Sequence, residues 1–588
     1  MKKNAAQLTV YALEQLGITH TFGIPGVHNT ELYDELALSK KIEPILVINE
    51  QSGAFLAEAV SRVSHNGNIG VLVTVPAAGL THAASAIGEA FLAGIPLLVI
   101  TGGVRRDTSF RFKLHDVNQQ RLLQEITKKG FLVERMQDVV PTLYQAYQLA
   151  TQGLPGPVLV EIPVNLQLFA TEIQSVPTYQ QFCRQQPVSA NPPIAPEVLQ
   201  QIIEALLNTQ QVAIFAGWGA RHASAELQTL CELLQAPIAT TLQGLSVVPY
   251  DFKWHTGFGF SQAAVPAAHN AFKKATAVLT VGARYSEIAS GSFAVNMPPL
   301  HIQIDIDAAA LGANYAAQFC IQGDAKEVLQ ALIQRLNADN SQRLPAARPA
   351  LWQAIAKDKR HYRRRWQRHL SHGRVPALAF FDCLYEILPG NAITVLDDGN
   401  HTFLTAELFR VRVGGQVIGP TDYNAMGYAV PGAIGAKLMH PERTVFAIVG
   451  DGCFAMTCME IATASARHLG VIFFVFNDGR LAQISQPQQT TYQKMTCTQL
   501  SALDFAGVAQ ATGAAYVPIQ NEQELYVRVQ SAKWLAAQGR AVIVDVAIDY
   551  SKKTAFTKGI TMSNFVSFPR DQKLRFIKRV LKRKLFGT

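Results

Sequence analysis

Cysteine is scarce in this chain and follows no pairing pattern. The 588 residues include seven cysteines, an odd number, scattered between Cys183 and Cys497. A disulfide framework or a zinc site of cysteines would need them paired or closely spaced. The sequence therefore excludes both classes and predicts reduced thiols in a cytoplasmic protein.

Long hydrophobic runs are also missing. The best candidate for a membrane span, from about Ala83 to Ile100, is interrupted by Glu89, and a span needs about 20 predominantly apolar residues. The first residues, MKKNAAQLTVYALEQLG, read as an amphipathic helix without a cleavage site. We expect neither a membrane span nor a secretory signal.

An acidic balance is absent, but the basic excess is local. The net charge is +9, and residues 570–588 alone hold eight Lys or Arg against one Asp, which leaves +2 for the rest. A general nucleic-acid surface is therefore not predicted. In this tail (residues 551–588), Leu574, Ile577, Leu581 and Leu585 fall on one helical stripe. Such a basic amphipathic helix is predicted either to lie on an anionic membrane surface or to pack against the protein's own body.

The rest of the chain alternates apolar strands with amphipathic helices, in three blocks. These blocks are residues 1–170, 196–335 and 375–550, and 48% of the chain is apolar, which is enough for several cores. A Gln/Pro-rich connector without periodicity runs from Glu172 to about Ala195. The pattern predicts an α/β protein with three consecutive doubly wound parallel-sheet domains.

The most informative stretch is a βαβ unit in the third block. Its strands, VFAIVG and VIFFVF, end at Asp451 and Asn477, whose side chains offer only oxygens to a metal. Ligands of open α/β sheets bind at the carboxyl ends of the strands. Mg²⁺ bridging a diphosphate is the natural occupant. Gly450 and Gly452 would let the backbone approach that diphosphate, and the helix predicted to begin near Cys453 aims its N–H groups there.

This arrangement resembles the Gly-Asp-Gly … Asn signature of thiamine-diphosphate enzymes. The resemblance implies that Asp451, Asn477 and the carbonyl of Gly479 bind the metal. FGIPG, which begins at Phe22, the strand PILVINE ending at Glu50, and LPGPVLVEIP are similar to the pyrimidine-binding domain of the acetolactate synthase-like branch. Central-domain motifs match as well, and they leave open whether FAD binds there or the domain is purely structural.

Further cofactor residues lie in the third block. A strand ending near Asp397 presents Gly399, Asn400 and His401, and Met426 in AMGYAV matches the bulky residue that the family places beneath the cofactor. By resemblance, Glu50 is the carboxylate that hydrogen-bonds the cofactor's pyrimidine ring and starts its deprotonation.

The resemblance implies decarboxylation of a 2-oxo acid, followed by protonation or by addition to a second carbonyl. His28 and His115 are the candidates for moving protons to or from the reaction intermediate, and His115 stands where acetolactate synthases carry a Gln. The loop VPAAGLTH departs from the Gly-Pro-Gly and following Asn of that branch. A 5-guanidino-2-oxopentanoate decarboxylase-like or benzaldehyde lyase-like activity therefore stays open, as does a catalytically silent regulatory subunit. The family arrangement implies a homodimer or homotetramer with shared active sites.

Overall fold

The computed structural model describes residues 2–64, 67–186, 194–339 and 343–586. Three six-stranded sheets, each entirely parallel, form the cores of three successive α/β domains. Their central strands are apolar runs buried on both faces, such as VIFFVF at residues 471–476, as expected when helices cover both sides of a parallel sheet. The predicted fold class is confirmed. None of the helices in these ranges is both long and apolar enough to span a membrane.

The first domain has the strand order β3-β2-β4-β5-β7-β6, and β1 pairs antiparallel with β8. Its strands are β1 (Lys2–Lys3), β2 (His20–Gly23), β3 (Glu43–Leu46), β4 (Gly70–Thr74), β5 (Leu97–Gly103), β6 (Lys129–Leu132), β7 (Pro157–Pro163) and β8 (Thr171–Glu172). Its helices are α1 (Ala5–Gln15), α2 (Thr30–Leu38), α3 (Glu50–Val63), α4 (Ala78–Ala93), α5 (Gln119–Leu122), α6 (Val139–Thr151), α7 (Val164–Leu168) and α8 (Tyr179–Gln185).

The central domain has the order β11-β10-β9-β12-β13-β14. Its strands are β9 (Val212–Ala216), β10 (Ile238–Thr240), β11 (His255–Phe258), β12 (Ala277–Val281), β13 (Leu300–Asp305) and β14 (Phe319–Gln322). Its helices are α9 (Pro196–Leu207), α10 (Ser224–Leu234), α11 (Pro266–Phe272), α12 (Glu287–Ser290) and α13 (Ala325–Asp339), followed by the interdomain helix α14 (Pro349–Gln367).

The third domain has the order β16-β15-β17-β18-β20-β19. Its strands are β15 (Ile393–Leu396), β16 (Gln416–Ile418), β17 (Val445–Gly450), β18 (Val471–Phe476), β19 (Ala515–Ile519) and β20 (Val542–Val546). The helices are α15 (Ala377–Ile387), α16 (Asn400–Leu408), α17 (Ala429–Met439), α18 (Asp451–Thr457), α19 (Ile461–Ala466), α20 (Ala482–Tyr492), α21 (Phe505–Thr512) and α22 (Glu522–Ala537), and the tail adds α23 (Ala555–Ser567) and α24 (Arg570–Phe586).

The connector after the first domain is more ordered than its composition indicates. Helix α8 lies within it, begins with a capping box at Thr178, and buries Phe182 against Tyr144. A capping box satisfies two backbone donors at once, so it can start a helix that hydrophobic periodicity does not reveal. Residues 187–193, also in the predicted connector, lie outside the described residues.

Candidate active site

The two predicted metal side chains lie at the ends of neighbouring strands. Gly450 pairs with Phe476 in the β17–β18 ladder, so Asp451 and Asn477 follow directly from opposed positions. Oδ2 of Asp451 accepts hydrogen bonds from the backbone N–H of Gly479 (2.7 Å) and of Asp478 (3.2 Å). The carboxylate thus ties the two turns together, which brings the three predicted metal ligands into one place.

The orientation of Asn477 is fixed from behind. Its Nδ2 donates to Oδ1 of Asp545 (3.0 Å), which leaves the amide oxygen on the opposite side. Gly479 has φ 69° and open space where a Cβ would be, and its carbonyl accepts the N–H of Leu500 (3.0 Å), which leaves a second lone pair for a metal. No cluster of three His, Cys, Asp or Glu suited to a metal occurs in the described ranges. The predicted set differs in kind because it combines one carboxylate, one amide oxygen and one carbonyl.

A buried histidine lies between the two glycine turns of this site. A Cβ on Gly399 (φ 152°) or on Gly450 would approach the His401 ring to 2.7 or 3.1 Å. Burial lowers the pKa of His401 to about 3, so the ring is neutral, and its Nε2 is buried without a hydrogen-bond partner among the described residues. Asn400 begins α16 beside it. A buried ring nitrogen that has no hydrogen-bond partner and lies beside two glycines is suited to contact a phosphate-bearing ligand.

Cys453 and Met426, two further predicted cofactor residues, lie in different surroundings. Sγ of Cys453 donates to the carbonyl of Asp398 (3.0 Å), so this thiol connects two turns. Helix α18 begins at Asp451, two residues before the predicted start. Met426 is partly buried, and the next residue, Gly427, donates its N–H to Oδ1 of the buried Asp397 (2.9 Å). The backbone around Met426 is therefore held firmly.

Glu50 lies on the first domain as the first residue of α3. Asn49 caps this helix, and the Glu50 side chain is largely buried. Nδ1 of His82 lies 3.1 Å from its Oε2. Sequence reasoning missed His82, although it ends the segment VPAAGLTH that departs from the acetolactate synthase pattern; the structure places it on α4 rather than in a loop. The structure thus pairs the predicted catalytic carboxylate with an imidazole.

His28 and His115 form a second pair on the same domain. Their Nδ1 atoms are 3.3 Å apart, and burial together with the neighbouring His115 lowers the pKa of His28. A Cβ on Gly102 would lie 2.1 Å from the carbonyl oxygen of His28, so only glycine fits there. Gln119 donates to the carbonyl of Gly102 (3.1 Å) and accepts from the N–H of Ala77 (3.4 Å). The histidine turn and the loop before His82 are therefore linked.

Within one chain the predicted residues form two groups, one on the first domain and one on the third. No hydrogen bond between described residues joins Glu50, His28 or His115 to the metal turns, by which we mean the turns after β17 and β18 that carry Asp451 and residues 477–479. Large apolar side chains are exposed beside both groups. Phe110 and Phe112 of the loop that carries His115 are 80% and 100% exposed, and Met456 and Met459 follow the Asp451 turn.

The central domain contributes a separate cavity of about 640 Å³. Its walls include Trp218, Arg221, Arg284 and Asp422. Arg284 forms an ion pair with Asp422 of the third domain (3.1 Å) and donates to the carbonyl of Leu92 in the first. All three domains therefore meet at this cavity.

Comparison with protein families gives matches along most of the chain. Residues 3–126 match the N-terminal TPP binding domain of thiamine pyrophosphate enzymes, residues 199–332 the central domain, and residues 397–546 the C-terminal TPP binding domain. The order of these matches is that of the three sheets; the central match encloses all six strands of its sheet, whereas the N-terminal match ends before β6 and the C-terminal match begins after β15.

Curated relatives are similar over nearly the whole length. Acetolactate synthase isozyme 1 large subunit of Escherichia coli (strain K12) is 28% identical over 564 residues, covering 93% of this chain and 94% of the relative. The isozyme 3 large subunit of the same organism is 25% identical, with coverages of 93% and 95%. Acetolactate synthase 3, chloroplastic, of Brassica napus is 29% identical, with coverages of 84% and 74%.

Proposed function

Since this chain belongs to the thiamine pyrophosphate enzyme family, we propose that it decarboxylates a 2-oxo acid with thiamine diphosphate and Mg²⁺, and transfers the acyl unit to a second carbonyl compound. The observation that carries the proposal is the pairing of Glu50 with His82, 3.1 Å apart at a helix start. A catalytically silent subunit would not require a largely buried carboxylate that is oriented by an imidazole.

The third domain supplies the residues that would hold the cofactor. Asp451, Asn477 and the Gly479 carbonyl offer oxygen ligands to Mg²⁺. His401 offers an Nε2 that has no hydrogen-bond partner among the described residues, and the glycines at 399 and 450 let the ring lie against both turns. When bound, thiamine diphosphate supplies a carbon nucleophile and an electron sink.

Glu50 and His82 then hold and move a proton. The Glu50 carboxylate at the start of α3 lies against Gly79 and His82 of α4, and it takes the role of proton acceptor and donor at the cofactor's pyrimidine ring. His82 contacts Oε2 and leaves Oε1 for the cofactor. The imidazole therefore orients the carboxylate and reaches towards solvent, since the His82 side chain is 59% exposed.

A simple decarboxylase is the second candidate, and the His28–His115 pair favours it. Two imidazoles whose Nδ1 atoms are 3.3 Å apart can share a proton and deliver it to a reacting carbon. Protonation there releases an aldehyde, whereas a second carbonyl compound in the same place forms a carbon–carbon bond. The 5-guanidino-2-oxopentanoate decarboxylase-like and benzaldehyde lyase-like alternatives differ in this step.

The test is to supply the purified chain with Mg²⁺, thiamine diphosphate and a panel of 2-oxo acids, and to measure CO₂, aldehydes and hydroxyketones. We expect CO₂ release that needs both cofactors. Hydroxyketone formation supports carboligation, and aldehyde alone supports the decarboxylase. Absence of turnover on every acid contradicts both.

We predict that His82→Ala slows CO₂ release by about 10- to 150-fold, because a hydrogen bond to a charged group contributes on the order of 1.5–3 kcal/mol. His82→Asn, which can still donate to Glu50, should keep most of the activity. The affinity for thiamine diphosphate should stay unchanged in both variants. Equal losses in the two variants, or none, would contradict the orienting role. The pH–rate profile of His82→Ala should also change shape, since a titratable neighbour of Glu50 is lost.

We also propose a homodimer or homotetramer in which Glu50 of one chain faces the metal turns of another. The exposed Phe110, Phe112, Met456 and Met459 support this proposal, because burial of such side chains stabilises obligate interfaces.

For the central cavity, the flavin alternative predicts that FAD is released on heat denaturation of the purified protein. A structural domain predicts none.

The tail supports a further partner, an anionic membrane surface. One face of α24 packs on α20, where Arg579 and Arg583 lie over the Tyr492 ring. The other face exposes three apolar side chains between flanking lysines and arginines, namely those of Leu574, Ile577 and Leu581. The side chain of Leu585, predicted on the same stripe, lies outside the described residues. The structure thus combines packing on the body with a free apolar stripe.

We predict that the full chain floats with liposomes that contain anionic lipid at low salt, and that high salt releases it. A chain ending at residue 569 should stay behind, and neutral liposomes should capture neither. Equal behaviour of the two chains would remove the membrane proposal.

A further inference from the structure

A buried carboxylate of the first domain holds the segment of the third domain that carries Met426. Glu89 of α4 is fully buried. Its Oε1 accepts the backbone N–H of Thr421 (3.1 Å), and its Oε2 accepts that of Ala425 (3.2 Å). In the sequence, Glu89 appears only as the charge that interrupts an apolar run.

A second carboxylate holds the same segment from the other side. Asp397, at the end of β15, accepts the N–H of Gly427 (2.9 Å) and of Ala429 (2.7 Å). Met426 therefore lies between two backbone N–H groups that are bound to carboxylates of different domains. Its position depends on both.

The charge of Glu89 is balanced inside the protein. Burial raises the pKa of Glu89 to about 7, and the nearby Arg62, whose Nη2 lies 3.9 Å from Oε1, opposes that rise. Arg62 also pairs with Glu58 (2.6 Å), which accepts from the Tyr428 hydroxyl (2.6 Å). Burying a carboxylate is unfavourable unless its partners are held in place. The Glu89 carboxylate is therefore stable only when the first and third domains pack in this relative position.

The neighbouring residue of α4 is shaped for the same segment. A Cβ on Gly88 would lie 2.5 Å from the Tyr423 ring, so the absence of a side chain lets that ring pack against the helix. Gly88 and Glu89 together contact residues 421–425. This interdomain contact combines ring packing on Gly88 with two hydrogen bonds to Glu89.

We infer that Glu89 is a positioning residue that sets Met426 beneath the cofactor from the neighbouring domain. The inference rests on the proposed function, which gives Met426 its contact with thiamine diphosphate. Glu89 itself touches neither cofactor nor substrate in this account, and it acts through the 421–427 backbone.

The test compares two similar buried glutamates. Glu407 is also buried, has its pKa raised by burial to about 7, and accepts two backbone N–H groups, from Ala555 (3.0 Å) and Phe556 (2.8 Å). In Glu89→Gln, an amide nitrogen would face the N–H of Thr421 or Ala425. We expect at least a tenfold weaker affinity for thiamine diphosphate with Mg²⁺, measured calorimetrically. Glu407→Gln should lower the Tm without that loss.

Hydrogen exchange gives a readout that needs no cofactor. In the cofactor-free protein, the peptide covering residues 419–429 should exchange faster in Glu89→Gln than in the wild type, and should not change in Glu407→Gln. If Glu89→Gln does not fold, Gly88→Ala displaces the same segment while keeping the carboxylate, and should weaken cofactor affinity likewise. A double variant with Met426→Ala should lose no more affinity than Met426→Ala alone.

Unchanged exchange and affinity in Glu89→Gln and Gly88→Ala, or equal losses in Glu89→Gln and Glu407→Gln, would overturn the inference. A wild-type chain that does not bind thiamine diphosphate overturns the proposed function instead, and the exchange measurement then still reports on the Glu89 contact.

Discussion

Glu50→Gln should reduce CO₂ release from the best 2-oxo acid by roughly 10²- to 10⁴-fold, the range that a positioned acid–base group contributes. The substitution keeps the size of the side chain, and its amide oxygen can still accept from His82, which lies 3.1 Å from the carboxylate. What it removes is the ability to exchange a proton with the cofactor. Binding of thiamine diphosphate and the Tm should therefore change little.

Glu35→Gln on α2 is the matched control, since it makes the same chemical change on the same domain. It should leave the rate of CO₂ release unaltered. Equal turnover by the wild type and Glu50→Gln would contradict the catalytic role of Glu50. If neither protein acts on any acid, the catalytically silent subunit becomes the better interpretation.

The three-domain fold could be predicted because its signals are local and repeated. Strands such as VIFFVF at residues 471–476 are buried on both faces and so read as uninterrupted apolar runs. Helix α8 could not be predicted, because seven residues with one buried aromatic, Phe182, give too short a pattern. There a capping box and a tertiary contact decide the structure.

The metal turns could be predicted for a related reason, since each follows a strand whose end is visible in the sequence. His82 and Glu89 could not, because their partners are 32 and at least 332 positions away. Only the packing of α4 against α3 and against the 421–427 segment gives these two side chains a role. Polar groups inside an apolar helix are thus most informative once their distant partners are known.

Asn477→Ala should weaken Mg²⁺-dependent binding of thiamine diphosphate by roughly 100-fold or more, since even residues behind a metal ligand contribute 10- to 100-fold. The substitution removes an oxygen ligand and the donor to Asp545, whose other oxygen still accepts from Tyr516 (3.1 Å). Calorimetry at increasing Mg²⁺ should show that more metal partly restores binding.

Asn521→Ala is the control for that experiment. Asn521 caps α22 through its side chain, so its loss should cost about 1 kcal/mol of stability without affecting Mg²⁺. Equal cofactor affinities of Asn477→Ala and the wild type would contradict the assigned metal site.

Co-expression of the Glu50→Gln chain with the Asn477→Ala chain tests whether the active site is shared between subunits. If Glu50 of one chain serves the metal turns of the other, a mixed dimer of Glu50→Gln and Asn477→Ala has one site with both substitutions and one with neither. Random pairing should restore about a quarter of the wild-type activity, because half of the dimers are mixed and each has one intact site of two. Asn477→Ala co-expressed with Asp451→Asn should restore none, since both changes lie on the same half. Failure of the first pair to recover activity would place Glu50 and the metal turns in the site of a single chain.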